Sequence, residues 1–194
     1  MTFLTLVRHG QTDWNLERRI QGSTDIPLNE TGRGHAQDAA ALLRDTEHHA
    51  IYASPLVRAR QTADIIADAL GLAEPLLTPD MREREVGDAE GMLVADFLAQ
   101  YGHWQADVPG AERLVEVRDR ALGALDVIAR DARRRSAPSA ESVIVVTHGG
   151  VIRALLDHAS GGTLPREGEL LGNGSVHRFE ASPGILRLLQ TTPA

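Results

Sequence analysis

The chain has 194 residues, enough for a layered core, and its hydrophobic content of 42% and charged content of 24% are typical of soluble globular proteins. A net charge of −7 argues against non-specific nucleic-acid binding, and no apolar stretch approaches the roughly 18 residues that a membrane span needs. Cysteine is absent and the N-terminal residues carry no signal-peptide pattern, so we expect a cytoplasmic protein without disulfides or cysteine metal ligands.

The first half of the chain alternates between strand-like and helix-like patterns. In chain order these predict a strand at residues 3–7, a helix from residue 29 to about 44, a strand at 50–54 and a helix from 55 to 70. Asn29 is the expected N-cap of the first helix, because its side chain can accept a hydrogen bond from a free backbone N–H. Ser54 is the expected N-cap of the second helix, with Pro55 in the first helical position and Gly71 ending it.

The second half of the chain continues the alternation. The predicted elements are a weak strand at 76–78, a charged loop at 79–92, a short helix at 93–101, a long helix from 114 to 132, a polar connection at 133–142, a strand at 142–148, a helix at 151–158, and two strands joined by a turn at 182–184. Because strands and helices alternate, we expect a three-layer α/β/α sandwich with a mainly parallel central sheet. We expect a single domain over residues 1–194, with a small cap-like insertion around residues 80–112.

Two of the predicted strands end in the same way. One runs into Arg8-His9-Gly10 and the other into His148-Gly149-Gly150. Ligands of open α/β sheets bind beyond the carboxyl ends of the strands, so two adjacent parallel strands would bring both imidazoles and the guanidinium to one edge. The glycines permit a close approach of the backbone to a ligand, and the helix that follows would direct free N–H groups at it.

An anion site at this edge must be built without lysine, because all 20 basic residues are arginine. Arg58 lies in the first turn of a helix that leaves the same edge, so Arg8 and Arg58 can present forked donors to one phosphoryl group. A neutral histidine between them could attack phosphorus, and the positive charges would favour that neutral form.

The reaction also needs a proton donor for the leaving oxygen, for which a carboxyl group is suited. Five carboxyl groups follow the third predicted strand: Asp80, Glu83, Glu85, Asp88 and Glu90. Spacing alone does not choose among them.

Four blocks of sequence extend this pattern along the chain. Residues 8–15 read RHGQTDWN and are followed by Gln21-Gly22, after which come SPLVRARQTA at 54–63, REREVGDAEG at 82–91 and VIVVTHGGVIRALL at 143–156. In this order they resemble the histidine phosphatase superfamily, whose fold is also called phosphoglycerate mutase-like, over nearly the whole chain. A lone R-H-G would be a weak signal, whereas the ordered set is specific.

The resemblance implies roles for individual residues. His9 would be the nucleophile that becomes phosphohistidine, and Glu83 would be the general acid. The phosphoryl group would be bound by Arg8, Arg58 and His148. Further substrate contacts would come from Asn15, the backbone N–H of Gly149, Thr12, Gln21 and Gly22. The resemblance implies neither a metal nor another cofactor.

The family contains phosphatases and cofactor-dependent mutases, and the segment after the acidic block favours a phosphatase. The chain has a short acidic cap there and reads Glu83-Arg84-Glu85-Val86-Gly87, without the mutase-like E-R-H-Y-G. We therefore expect a phosphatase acting on a small phosphorylated metabolite, with no nucleic-acid or membrane partner, as a monomer or homodimer. The alternatives are a phosphoglycerate mutase and a non-catalytic phospholigand-binding protein, but the latter would be expected to have lost His9 or Glu83.

A few other residues suggest local roles. His48 and His49 lie in a polar turn and are expected to be exposed. Arg113 is expected to be a solvated helix start rather than a substrate contact. His103 and Trp104 either line the pocket or form a small local core.

Overall fold

The computed structural model describes residues 1–104, 106–136, 141–166 and 168–192. Within these residues six strands form one sheet in the order β3-β2-β4-β1-β5-β6. The strands are β1 Thr2–Arg8, β2 Ala50–Ala53, β3 Leu76–Leu77, β4 Ser142–Thr147, β5 Val176–Ser182 and β6 Ile185–Thr192. The first four in that spatial order are parallel, whereas β5 and β6 run antiparallel to their neighbours, so the sheet is mainly parallel as predicted.

Helices cover both faces of the sheet. They are α1 Asp13–Leu16, α2 Glu30–Leu43, α3 Val57–Leu70, α4 Val94–Tyr101, α5 Leu114–Ser136 and α6 Gly149–Ser160. On β4, Val143 and Val145 join the apolar cluster built with α5 and α6, while Ile144 and Val146 join the one built with α2 and α3. This alternation of side chains places one apolar layer on each face and confirms the three-layer α/β/α sandwich.

Helix α3 starts later than predicted. Asn29 does cap α2, where its Oδ1 accepts a hydrogen bond from Gly32 N, but Ser54 and Pro55 precede α3 rather than begin it. The hydroxyl of Ser54 lies 2.7 Å from Nε2 of His148, and Asp25 Oδ1 accepts a hydrogen bond from Val57 N at 2.7 Å. A distant carboxylate therefore satisfies the free end of α3, which local sequence reading does not detect.

Helix α5 runs further than predicted. It continues through Arg133–Arg135 to Ser136, so the polar connection expected from residue 133 onward is helical at its start; residues 137–140 lie outside the described residues. Arg134 pairs with Asp131, and Arg135 pairs with Glu141 across the connection. Basic side chains in the last turn also interact favourably with the helix dipole, which explains why the arginine run extends the helix.

The structure confirms the local prediction for Arg113, decides between the two for Trp104 and contradicts the one for His48. Arg113 is exposed and pairs with Glu116 at 2.7 Å, as expected of a solvated helix start. Trp104 stacks on Phe97 with ring centroids 5.1 Å apart, which favours the local core over a pocket lining. The exposure expected for His48 is wrong, because Ser142 on the adjacent strand packs over it and forms a 3.1 Å hydrogen bond with its Nδ1.

No helix within the described ranges has the length and apolarity to cross a membrane.

Candidate active site

The two strands that end in histidine are neighbours in the sheet. β1 and β4 are parallel with Arg8 opposite Thr147, and His9 N donates to Thr147 O at 2.9 Å. The rings of His9 and His148 consequently lie with their centroids 5.1 Å apart. The convergence predicted from the two strand ends is therefore present at the carboxyl edge of the sheet.

His9 is held in one orientation by its own turn. Its Nδ1 lies 2.7 Å from the Gly10 carbonyl, so Nδ1 carries the proton and Nε2 keeps a free lone pair. Gly10 N donates to Thr62 Oγ1 at 3.0 Å, and a Cβ on Gly10 would collide with the backbone of Gly32 in α2. Burial, followed by the charges of Arg58 and Arg8, lowers the pKa of His9 well below its usual value. The imidazole is therefore neutral at pH 7.

Two arginines supply positive charge beside this ring. Arg58 is completely buried and donates from Nη1 to Thr24 O at 2.8 Å and from Nη2 to Gly22 O at 2.9 Å. Arg8 donates to the carbonyl of Leu171, and burial is the main cause that lowers its pKa to about 10. Nε of Arg8 and Nε of Arg58 are both buried and have no hydrogen-bond partner within the described ranges. The guanidinium groups are thus fixed by backbone carbonyls and retain donor capacity.

Of the five candidate carboxyl groups, Glu83 is the one held against the first turn of α6. Its Oε2 accepts a hydrogen bond from Gly150 N at 3.2 Å and its Oε1 accepts one from Arg84 N at 2.9 Å. Its charge acts on both arginines, where it raises the pKa of Arg8 and of Arg58 against the larger lowering effect of burial. Glu83 therefore faces the cluster.

The other four carboxyl groups of the acidic loop are placed differently. Asp80 and Glu85 pair with Arg82, and Asp88 is exposed. Glu90 accepts hydrogen bonds from Ser23 and Thr24. These contacts distinguish Glu83 from the other four carboxyl groups, which spacing alone could not do, although the charge of Glu90 also raises the pKa of Arg58. The general-acid role of Glu83 stays a prediction.

His148 is the second buried ring of the cluster. Its Nε2 lies 2.7 Å from Ser54 Oγ, and its Nδ1 has no partner among the residues described. Burial first, and then the charges of Arg58 and Arg8, lower the pKa of His148 well below the usual value. Gly149 follows at the start of α6, where a Cβ would lie 3.3 Å from Nε of Arg8.

The predicted substrate-binding residues on both sides of α1, which are Thr12, Asn15, Gln21 and Gly22, form contacts around His9 and Arg58. Thr12 is the N-cap of α1 and forms a capping box with Asn15, while its hydroxyl donates to Gln21 Oε1 at 3.0 Å. Gly22 offers its carbonyl to Arg58. These contacts make the region around α1 rigid, and the substrate contacts of the four residues stay predictions.

Sequence reading missed Asn173, which lies between α6 and β5. Its Nδ2 is 3.0 Å from His9 O, 3.3 Å from Gly10 O and 3.2 Å from Asn15 Oδ1. A lone asparagine between two glycines gives no periodic or motif signal, so only the fold reveals it. No group of three or more histidine, aspartate or glutamate side chains in the described part of the chain could hold a metal ion.

Comparison with known proteins gives the family. The model of the histidine phosphatase superfamily (branch 1) matches residues 4–192. The chain is 39% identical over 181 residues to the uncharacterized phosphatase PhoE of Bacillus subtilis, covering 93% of this chain and 89% of that protein. It is 37% identical to a metal-independent phosphoserine phosphatase of Arabidopsis thaliana, over 80% of this chain and 67% of that one.

Mutases are also among the relatives. The 2,3-bisphosphoglycerate-dependent phosphoglycerate mutase 2 of Gloeobacter violaceus is 34% identical over 82% of this chain and 78% of its own length. Among solved structures, the mycobacterial glucosyl-3-phosphoglycerate phosphatase crystallised with VO3 superposes with a TM-score of 0.79 at 28% identity, covering 97% of both chains. The predicted phosphoglycerate mutase-like fold is confirmed, and the chain belongs to the histidine phosphatase superfamily, branch 1.

Proposed function

We propose that this chain is a metal-independent phosphatase that hydrolyses small phosphate monoesters through a phosphohistidine on His9. The observation that carries the proposal is the state of His9: a neutral imidazole whose Nδ1 is bound to the Gly10 carbonyl and whose Nε2 is free, beside Arg8 and Arg58. A free ring nitrogen between two guanidinium groups suits attack on phosphorus.

In the first half-reaction Nε2 of His9 attacks phosphorus, an N–P bond forms and the P–O bond to the leaving alcohol breaks. Glu83, as the general acid, transfers a proton to the leaving oxygen as the P–O bond breaks. Arg8 and Arg58 stabilise the charge on the equatorial oxygens of the phosphoryl group. Nδ1 of His148, which has no partner among the described residues, contacts the same phosphoryl group. Arg8 and Glu83 are only half-buried, so the proposed site is partly open to solvent at these two side chains.

In the second half-reaction water attacks the phosphohistidine. The Glu83 carboxylate, now without its proton, accepts one from that water as the new P–O bond forms. The N–P bond breaks, inorganic phosphate leaves, and His9 returns to its neutral state with the proton on Nδ1. Asn15 and the N–H of Gly149 support the phosphoryl group in both steps.

A phosphoglycerate mutase is the second candidate, favoured by the identity to the Gloeobacter mutase. Hydrolysis is supported more strongly, because PhoE and the phosphoserine phosphatase are both more similar to this chain. The short acidic segment after Glu83 further supports access of water to the phosphoenzyme. The small-metabolite substrate, the cytoplasmic location, the single domain over residues 1–194, and the monomeric or dimeric state stay predictions.

Phosphate release from a panel of phosphorylated metabolites, measured with EDTA present, tests this proposal. The panel includes 3-phosphoglycerate with 2,3-bisphosphoglycerate. Release of free phosphate despite the chelator is expected, and it ranks the substrates. Isomer exchange without net phosphate would instead identify a mutase, and no reaction with any compound would favour the phospholigand-binding alternative.

A further inference from the structure

The segment that carries Glu83 is held by side chains rather than by a sheet or helix. Residues Pro79–Met81 form a single turn of 3-10 helix and the chain then continues without regular structure, so the carbonyls of residues 80–83 need partners that a longer helix or a sheet would otherwise supply. Each of these four consecutive carbonyls accepts a hydrogen bond from a side chain. Three are bound by Arg120, which donates to Asp80 O at 2.6 Å, Arg82 O at 2.8 Å and Glu83 O at 3.3 Å. Thr147 Oγ1 donates to the fourth, Met81 O, at 2.7 Å.

Arg120 is itself fixed by Glu112. Nε of Arg120 lies 2.6 Å from Oε1 of Glu112, Nη2 lies 2.9 Å from Oε2, and both side chains are only 12% exposed. Burial raises the pKa of Glu112, but the hydrogen bond and charge of Arg120 outweigh it and the pKa is lowered. Because burying a charged pair costs desolvation energy, such a pair is better explained by the geometry that it enforces than by stability.

The backbone of Glu112 extends the same contact. Its N–H donates to Glu85 O at 2.9 Å, and its carbonyl accepts a hydrogen bond from Arg84 Nε at 2.6 Å. Residues 80–85 are therefore attached on one side to the start of α5. On the other side they are attached to the end of β4 through Thr147 and to α6 through the Glu83 carboxylate.

We propose that Arg120 and Glu112 are positioning residues for acid catalysis, which hold the backbone of residues 80–83 so that the Glu83 carboxyl meets the leaving oxygen. This inference rests on the proposed role of Glu83 as the general acid. Only a guanidinium has enough donors in a rigid fork to serve three carbonyls and a carboxylate together. Lysine at position 120 would keep the charge and lose this geometry.

The leaving group supplies the test, because an alkoxide needs a proton from the acid and a nitrophenolate does not. We expect Arg120→Lys to lower kcat/KM for the alkyl phosphate that ranks first in the panel by roughly 10- to 100-fold, as expected for a misplaced acid. For p-nitrophenyl phosphate we expect a loss of less than about threefold. Glu112→Gln should show the same discrimination and provides a second variant if Arg120→Lys fails to fold.

A double variant separates positioning from general destabilisation. In a Glu83→Gln background, adding Arg120→Lys should change kcat/KM for the alkyl phosphate by less than about twofold, because the positioned group is already absent. A full additional loss in that background, or equal losses for both substrates in Arg120→Lys alone, would overturn the inference. If Glu83→Gln by itself lowers kcat/KM equally for the alkyl phosphate and for p-nitrophenyl phosphate, the acid role fails and the proposed mechanism fails with it.

Arg118 offers a matched control on the same helix. It lies two positions before Arg120 and pairs with Asp119 at the surface. Arg118→Lys should leave kcat/KM for both substrates within about twofold of the wild-type values, because exposed ion pairs contribute little to stability.

Discussion

At the scale of single residues, the location of one proton decides what His9 can do. The short contact with the Gly10 carbonyl keeps that proton on Nδ1, and the buried, positively charged surroundings disfavour a second one. Asn173 fixes the same turn from outside, through the carbonyls of His9 and Gly10. The orientation of the proposed nucleophile is thus set by backbone contacts, independently of any substrate.

Replacing His9 should abolish turnover while leaving the fold intact. Because the proposed mechanism assigns the nucleophile to His9 alone, we expect His9→Ala to lower kcat/KM by roughly 10⁴-fold or more. Intact-mass measurement at alkaline pH should detect the added phosphoryl group in wild type and not in the variant. His158→Ala, which removes an exposed histidine of α6, is the control and should retain activity. Substantial activity of His9→Ala would remove the nucleophile assignment.

At the scale of elements, the first turn of α6 leaves no room for a side chain at Gly150. A Cβ on Gly150 would collide with the carboxylate of Glu83, and it meets Arg84 as well. β4, α6 and the acidic segment that carries Glu83 therefore meet at Gly150. Gly123 in the middle of α5 differs, because a Cβ there meets nothing within 4 Å.

Gly150→Ala should consequently displace Glu83 and lower kcat by roughly 10- to 100-fold. Since alanine favours helices, we expect the secondary structure of the variant, measured by far-ultraviolet circular dichroism, to be unchanged. Gly123→Ala is the matched control: it should stabilise the protein by about 0.5–1 kcal/mol and leave kcat unchanged. Wild-type activity in Gly150→Ala would show that Glu83 tolerates displacement.

At the scale of the whole molecule, the two apolar layers bury histidines that lie outside the candidate site. Burial is the main cause that lowers the pKa of His48 and of His177 to about 4. In the unfolded chain each would titrate near 6.5. The folded state therefore binds fewer protons between these values, so the stability that neutral histidines contribute is complete above pH 6.5 and is lost as the pH falls towards 4.

We expect the free energy of unfolding, measured with urea between pH 7 and pH 4, to decrease through this window. His177→Gln removes one titrating group and should reduce the slope by up to about 1.4 kcal/mol per pH unit. His158→Gln, which removes an exposed histidine instead of a buried one, is the matched control. A His177→Gln slope equal to that of wild type would show that this residue does not cause the acid sensitivity.

The sequence was informative where structure is local. Strand and helix alternation predicted the three-layer fold, and Asn29 predicted the start of α2, because periodicity and capping act over a few residues. The strand-end residues Arg8, His9 and His148 were found because parallel strands bring their carboxyl ends to one edge. The sequence placed the start of α3 too early, at Ser54 and Pro55. The first N–H group of this helix, that of Val57, donates to Asp25, which lies 32 residues away in the chain.

By itself, the sequence determined the fold class, the family and the main residues of the candidate site. The family resemblance had already singled out Glu83 among the five carboxyl groups, and only the tertiary structure decided what holds it in place. The contact of Asn173 with His9 spans 164 residues, and that of Arg120 with Glu83 spans 37. Such contacts depend on how the layers pack, and no pattern within one element encodes them, so they become visible only when the chain is folded.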